Sequence, residues 1–250
     1  MTPRAFLLRG LLAGLLAGIA TFVVAFTVGE SHVQAAIDVE EAHAAAATHH
    51  HDEPGLVSRH TQRTWGLFTA SVATGTALGG LVGLVSAGVV GRLGRLSPGQ
   101  STALVAAAGW VAVTLVPFLK YPASPPAVGD PDTIGQRTTL FFVFLLVSVI
   151  AAAASVTLGN RLHAARGAYV AVLAGTVTYL ALMVATGLVM PSVNEVGDFP
   201  ADTLWYFRRA SLITDAALWA VLGAALTGLV GGLHRRESAT VARRELAASL

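Results

Sequence analysis

The residues of this chain that could bind a metal ion are concentrated between positions 40 and 53. The stretch reads EEAHAAAATHHHDE and supplies six candidate ligands: His43, His49, His50, His51, Asp52 and Glu53. Imidazole nitrogen and carboxylate oxygen suit borderline divalent ions such as cobalt, nickel, zinc and copper. The cluster therefore favours a metal-gathering segment, with a solvated polar linker as the alternative interpretation.

The cluster does not predict selectivity for one metal. Residues 34–47 are rich in alanine with acids early, which favours a short helix on which His43 and Glu40 share a face. A flexible site of nitrogen and oxygen ligands prefers copper and nickel to cobalt. We therefore assign the cluster to the capture and local enrichment of an ion.

Composition places these residues in a membrane protein. Charged residues make up 12% of the chain, about half of the fraction usual in a soluble domain, and the mean hydropathy is +0.66. Six apolar runs have about the length that crosses a bilayer as a helix: 10–28, 65–90, 102–119, 138–158, 168–190 and 210–233. The predicted fold is all-α, a polytopic bundle of six transmembrane helices forming one membrane domain over residues 1–250.

Glycine spacing predicts where two of these helices pack. The first run follows Arg4 and Arg9 as a signal peptide would, but its 19 residues exceed the usual apolar core of a signal peptide. It carries glycines at i, i+4 spacing, and the second run repeats that spacing: Gly10, Gly14 and Gly18, then Gly75, Gly79 and Gly83. Small residues at this spacing let helix backbones approach closely, so we expect a retained helix with a packing face.

Arginine asymmetry predicts the orientation. Of the 16 basic residues, ten lie at the two termini and in the short connections 91–101 and 159–167. The positive-inside rule makes that side cytoplasmic, with both termini and the tail 234–250 inside the plasma (inner) membrane. Three longer segments then face outward, and they hold eleven of the 14 acids: 29–64, 120–137 and 191–209.

The outward segments resemble one another. Residues 128–138 read VGDPDTIGQRT, residues 196–211 read VGDFPADTLWYFRRAS, and residues 62–64 repeat the QRT. This similarity predicts three tandem helical hairpins, an arrangement found in transporters. We expect an outer vestibule built from seven residues: Asp130, Asp132, Asp198, Asp202, Arg63, Arg137 and Arg208. In the alternative interpretation, Asp132 and Asp202 only cap helices and the arginines only mark the membrane interface.

Asp215 is the only charged residue inside an apolar run, and a carboxylate at such a position predicts part of an ion path. Pairing with Arg208 or Arg209 near the outer surface is the alternative. The chain has no phosphate-binding loop, no zinc-protease or hydrolase motif, and no cysteine. We therefore expect neither an enzyme nor a resident cofactor, and no nucleic-acid partner.

Several stretches resemble the CbtA family of proposed cobalt-transporter subunits. They are Gly29-Glu30, Val57-Ser58-Arg59, PFLKYPASPPAVGDPDTIGQRT at 117–138, PSVNEV at 191–196 and FPADTLWYFRRASL at 199–212. The resemblance implies cobalt uptake linked to cobalamin supply, together with a small one-helix CbtB-type subunit as partner. That family is usually described with five spans, whereas six are predicted here.

These observations predict a permease subunit for the uptake of a divalent transition-metal ion, cobalt first. The ion is a substrate, and the membrane potential drives its entry. A non-transporting metal-binding or assembly subunit of a membrane complex is the alternative. The expected partners are the lipid bilayer and the CbtB-type subunit; a homo-oligomer is left open.

Replacing His49, His50 and His51 with alanine is expected to weaken divalent-metal binding to the purified chain, measured by titration calorimetry. Wild-type affinity should fall below about pH 6, where imidazole takes up a proton. The variant should lose most of this pH dependence, whereas His234→Ala in the tail should keep it. Equal metal affinity in the triple variant and the wild type would favour the polar linker instead.

Overall fold

The computed structural model describes residues 1–46, 57–94, 96–193 and 195–249, which contain helices and no strand. The first half holds α1 (Pro3–Val24), a π-helical turn (Ala25–Gly29), α2 (Glu30–Ala46), the short α3 (Arg59–Thr61), a second π-helical turn (Gln62–Gly66) and α4 (Leu67–Val89). The second half holds α5 (Pro98–Gly109), a third π-helical turn (Trp110–Leu115), α6 (Val116–Lys120), a 3₁₀ turn (Pro131–Thr133), α7 (Ile134–Val189) and α8 (Ala201–Ala248). The all-α prediction is confirmed.

Within the described residues, five helical elements are long and apolar enough to cross a membrane. The prediction of six separate helices is therefore wrong. The predicted fourth and fifth runs both lie inside α7, because the connection 159–167 remains helical until Gly167. The five elements are Pro3–Ala45, Arg59–Val89, Pro98–Lys120, Pro131–Val189 and Ala201–Ala248.

The longest element, α7, turns back on itself at Gly167. A straight helix of 56 residues would be about 84 Å long. Gly167 has φ 83° and ψ 173°, a conformation open to glycine but strained for other residues. On either side of it, the hydroxyl oxygens of Ser148 and Tyr179 lie 2.8 Å apart although the residues are 31 positions apart in sequence. The segments 134–166 and 168–189 are therefore two arms that pack side by side.

Local sequence signals explain where several helices begin. The Thr2 hydroxyl accepts a hydrogen bond from the Ala5 N–H, with Pro3 in the first turn. Ser97 and Gln100 form a capping box ahead of α5. The two predicted caps are wrong by position: Asp130, not Asp132, caps the 3₁₀ turn, and Asp202 lies in the first turn of α8 after Pro200.

The predicted glycine packing face is confirmed. A Cβ placed on Gly10 would overlap the Gly79 carbonyl oxygen, and one on Gly14 would overlap that of Gly75. A Cβ on Gly18 would lie 2.7 Å from the Ser71 carbonyl oxygen. Because rising numbers on α1 meet falling numbers on α4, the two helices run antiparallel. Their backbones touch along a line that only glycine permits, which we call the glycine seam.

Two apolar clusters join the remaining helices. The first unites Ala13 and Ala17 of α1 with Val82 of α4 and with Leu222 and Leu226 of α8. The second unites Ala112 with residues of both arms of α7: Phe144, Ala151, Tyr179 and Met183. In that second cluster the Ser148 hydroxyl also lies 2.7 Å from the Ala112 carbonyl oxygen, to which it can donate. No apolar cluster of the described residues joins arm 168–189 to α8, so the threefold hairpin arrangement stays a prediction.

The two ends of the bundle differ in what they bring together. At one end the N-terminal ammonium of Met1 lies 3.3 Å from a carboxylate oxygen of Glu237. At the same end as these termini, by chain order, a Cβ on Gly94 would lie 3.3 Å from the His163 ring. The opposite end carries the three longer connecting segments. The N-terminus and the end of the last apolar run therefore lie at the same end of the molecule.

Substituting Gly14 with alanine is expected to destabilise the fold by about 1–3 kcal/mol or more, because the added methyl group meets backbone that has no rotamer with which to yield. Gly88→Ala, at an exposed position of α4 outside the seam, is the matched control, since a Cβ there has no atom within 4 Å. Thermal unfolding of both purified variants in detergent measures the difference. Equal melting temperatures would contradict the glycine seam.

Candidate functional site

The second and third connecting segments are tied together where they leave the bundle. Lys120 Nζ donates to the Met190 carbonyl oxygen and lies equally near the Ser192 hydroxyl, each at 3.1 Å. The Tyr121 hydroxyl donates to the Pro191 carbonyl oxygen at 2.7 Å. These bonds fix the end of α6 against the end of α7, so both segments start from one rigid point.

Glu195 is the centre of the same contact. One of its carboxylate oxygens accepts from the Thr133 hydroxyl at 2.7 Å and from the Asp130 N–H at 3.0 Å, and it lies 3.4 Å from Arg137 Nε. The Thr133 hydroxyl bond, then the Asp130 N–H and the Arg137 charge, hold the pKa of Glu195 below its usual range. The third segment is thus anchored to the second by an ionised carboxylate.

Gly129 makes room for this anchor. It has φ 102°, and a Cβ there would overlap the guanidinium of Arg137. The same guanidinium donates to the Asp130 carbonyl oxygen at 3.0 Å. The glycine of the VGD sequence therefore has a local structural role, since it turns the chain and leaves space for the Arg137 side chain.

The first segment reaches the others through α2. Arg59 forms an ion pair with Glu30 and lies 3.4 Å from the Gln34 side-chain oxygen. The His32 ring stacks on the Tyr206 ring with 5.8 Å between the centroids. The Arg209 guanidinium lies 4.9 Å from the centroid of the same Tyr206 ring. Ala36 of α2 is buried in a small cluster with Phe199 and Leu204. All three segments therefore form one cap over the end of the bundle.

A cavity of about 610 Å³, the large cavity, lies between this cap and the helices. Its walls include Val113 and Thr114 of the third π-helical turn and four aromatic side chains: Phe118, Tyr121, Phe141 and Phe142. Four charged residues line it: Arg137, Glu195, Arg208 and Asp215. The cavity is thus mostly apolar, with charge at a few fixed places, as is usual for ligand sites.

A second cavity of about 270 Å³, the small cavity, lies on the other side of α8. Ala25 and Gly29 of the first π-helical turn line it, together with Glu30, Thr214 and Asp215. π-Helical turns within long helices are frequent at functional sites. Asp215 is common to both cavities. It is partly buried and forms no hydrogen bond or ion pair with the described residues.

The predicted vestibule residues divide into two groups. Arg137 and Arg208 line the large cavity, whereas Arg63 is exposed and lines neither cavity. The four acids are exposed at the capped end and line neither cavity: Asp130, Asp132, Asp198 and Asp202. Arg137 pairs with Glu195, and Arg208 Nε donates to the Ala123 carbonyl oxygen at 3.3 Å. Whether the acids form an entrance stays a prediction.

The predicted metal cluster lies largely outside the described residues. His43 is exposed in the last turn of α2. The other five predicted ligands fall in 47–56, outside the described residues: His49, His50, His51, Asp52 and Glu53. Among the residues that the structure describes, no three His, Cys, Asp or Glu side chains come together to hold a metal ion. The capture segment stays a prediction.

Sequence reasoning missed the two ion pairs of the cap. Glu195 lies in the PSVNEV stretch. Glu30 and Arg59 lie in the Gly29-Glu30 and Val57-Ser58-Arg59 stretches, which contribute to the family resemblance. Each pair joins residues at least 29 positions apart, Glu30 with Arg59 and Arg137 with Glu195. The charges were visible, but nothing in a single sequence indicates which acid meets which arginine.

Within the described residues, five helical elements long and apolar enough to cross a membrane define a multi-pass helical membrane protein. The sequence profile of the family CbtA, described as "Probable cobalt transporter subunit (CbtA)", matches residues 3–231, and the chain belongs to that family. This membership and the apolar helices agree with a membrane protein that takes part in cobalt transport. Neither the curated proteins nor the solved structures contain a match to the chain.

Glu195→Gln is expected to lower the melting temperature at pH 7, because the amide cannot replace the carboxylate that three donors hold. Since the folded-state pKa of Glu195 lies below its ordinary value of 4.5, this stabilisation is present above that pH and is lost as pH falls through the folded-state pKa. The gap in melting temperature between wild type and variant should therefore close under acid conditions. Glu41→Gln, at an exposed position of α2, should show no gap at any pH.

Proposed function

We propose that this chain is the permease subunit through which a divalent transition-metal ion, cobalt first, enters the cell. Asp215 is the observation that carries the proposal. It is a carboxylate on a helix of membrane-spanning length and lines both cavities without a partner among the described residues. A carboxylate in hydrocarbon is energetically costly, so one that is retained there usually serves a function. Carboxylate oxygen also binds divalent ions.

We infer six membrane crossings from the five helical elements. The reversal of α7 at Gly167 lets its arms 134–166 and 168–189 cross separately. The contact between Met1 and Glu237 supports an even number of crossings, because it joins the start of the chain to the end of its last apolar run. The arginine excess at that end supports a cytoplasmic location for both termini.

In this topology the cap faces outward and receives the ion. The exposed acids of the cap attract cations, and His43 with the residues that follow α2 concentrates them locally. A divalent ion moving inward through 100 mV gains about 4.6 kcal/mol, which supports accumulation of about a thousandfold or more. No nucleotide hydrolysis is then needed, in agreement with the lack of a phosphate-binding loop in the sequence.

A non-transporting metal-binding or assembly subunit is the second candidate. It is favoured by the lack, among the described residues, of any group of three side chains that could complete a metal site. The family description, a subunit, supports a partner in either case, and a one-helix CbtB-type protein is the partner we propose. Radioactive cobalt uptake into liposomes that contain the purified chain, with and without that partner, separates the two candidates.

Asp215→Asn is expected to lower cobalt uptake by cells about tenfold or more, a loss equal to about 1.4 kcal/mol of interaction with the ion. The substitution keeps the size of the side chain and removes its charge. Glu245→Gln, an exposed acid near the opposite end of the same helix, is the matched control and should retain most uptake. Wild-type uptake no greater than that of cells without the protein would refute the permease proposal.

A further inference from the structure

The large cavity is bigger than a hydrated metal ion requires. A six-coordinate aquo ion occupies about 200 Å³, taking about 30 Å³ for each water molecule. The cavity encloses about 610 Å³, within the range of sites for small organic molecules. Three of its four aromatic side chains, Phe118, Phe141 and Phe142, carry no hydrogen-bond partner for the water molecules of an aquo ion.

The charges of the large cavity are arranged for a ligand with a negative end. Of its two arginines, Arg137 is neutralised by Glu195. Arg208 forms no ion pair with the described residues and uses only Nε, in its bond to the Ala123 carbonyl oxygen. Its two terminal nitrogens are left without a hydrogen bond in the described part of the chain. A guanidinium presents these donors as a fork that fits a carboxylate.

Among the described residues that line the large cavity, the other charge without a partner is that of Asp215. It follows Arg208 by seven residues on α8, which is about two turns and about 10 Å along the same face. The two side chains do not pair, so the cavity presents a cationic group and a carboxylate at separate places. A bare cation that reached Asp215 this way would be repelled by Arg208, whereas a ligand with an anionic end and a metal end matches both.

We propose that the large cavity binds the divalent ion as a chelate with a small organic carboxylate. A free carboxylate of the chelator pairs with Arg208, its carbon skeleton lies against the aromatic walls, and the metal end is directed towards Asp215. This inference rests on the proposed function for the presence of a metal, and it names the form in which the metal is bound.

Binding of radioactive cobalt to the purified full-length chain tests the proposal, with cobalt supplied either as the aquo ion or together with an equimolar amount of citrate. The wild type is expected to bind cobalt citrate about tenfold or more tightly than the aquo ion under conditions where the histidine segment is protonated, near pH 5.5. Arg208→Gln should weaken chelate binding about tenfold or more, and it should leave binding of the aquo ion unchanged or tighter, because it removes a positive charge that repels a bare cation. Arg209→Gln, at the neighbouring exposed position outside both cavities, should change neither.

A second pair of variants keeps the test valid if Arg208→Gln fails to fold. Thr138 lines the large cavity, so Thr138→Glu places a negative charge in that cavity, which should repel the carboxylates of the chelator and weaken chelate binding. Gln136→Glu adds the same charge two residues away at an exposed position outside both cavities and should not. Equal affinity for aquo ion and chelate in the wild type, or a chelate affinity that neither Arg208→Gln nor Thr138→Glu changes, would overturn the proposal.

Two further arms identify the source of the affinity. Citrate without metal should compete with cobalt citrate, and inorganic phosphate at the same concentration should not; competition by phosphate would replace the carboxylate assignment with a general anion site. Chelate binding without cobalt flux in liposomes would refute the permease role and leave this inference standing. Flux of the aquo ion without chelate binding would do the reverse.

Discussion

Direct backbone contact between α1 and α4 is the constraint on which the rest of the structure depends. Lipid gives helices no hydrophobic reason to associate, so they associate through close packing, and the glycine seam provides it. The same two helices form the apolar cluster that receives Leu222 and Leu226 of α8. Arg208 and Asp215 both lie on α8, which packs on this cluster. The glycines of the first two apolar runs therefore help to position the two charged side chains.

The predictable part of the fold was the part governed by local spacing. The glycines at i, i+4 identified the packing face because each helix presents them independently of its neighbours. Gly167 was harder to interpret, since a single glycine inside a helical stretch looks the same whether it bends the chain or not. The capping residue was predicted at the wrong position for a similar reason. Asp130 and Asp132 are both good capping residues, and the path of the whole segment determines that Asp130 caps the turn.

The candidate site was less accessible from sequence because its geometry arises between segments far apart in the chain. Arg137 and Arg208 were recognised as residues of interest, but the acid that neutralises Arg137 is Glu195 in the next segment. With Arg137 paired in this way, Arg208 is the arginine lining the large cavity that forms no ion pair with the described residues. Asp215 was recognisable by its setting alone, because an acid in an apolar run needs a reason, yet its position between two cavities depends on how α8 packs.

The continuous helix formed by α1, the first π-helical turn and α2 has a further physical effect. From residue 29 to its end at Ala46 it extends about 27 Å past the first apolar run, along the side of the cap. In physiological salt the field of charged lipid headgroups decays over about 8 Å. His43, in the last turn of α2, lies about 22 Å along this helix from the end of the first apolar run, more than two such lengths, so the charge of lipid headgroups is screened before it reaches that histidine.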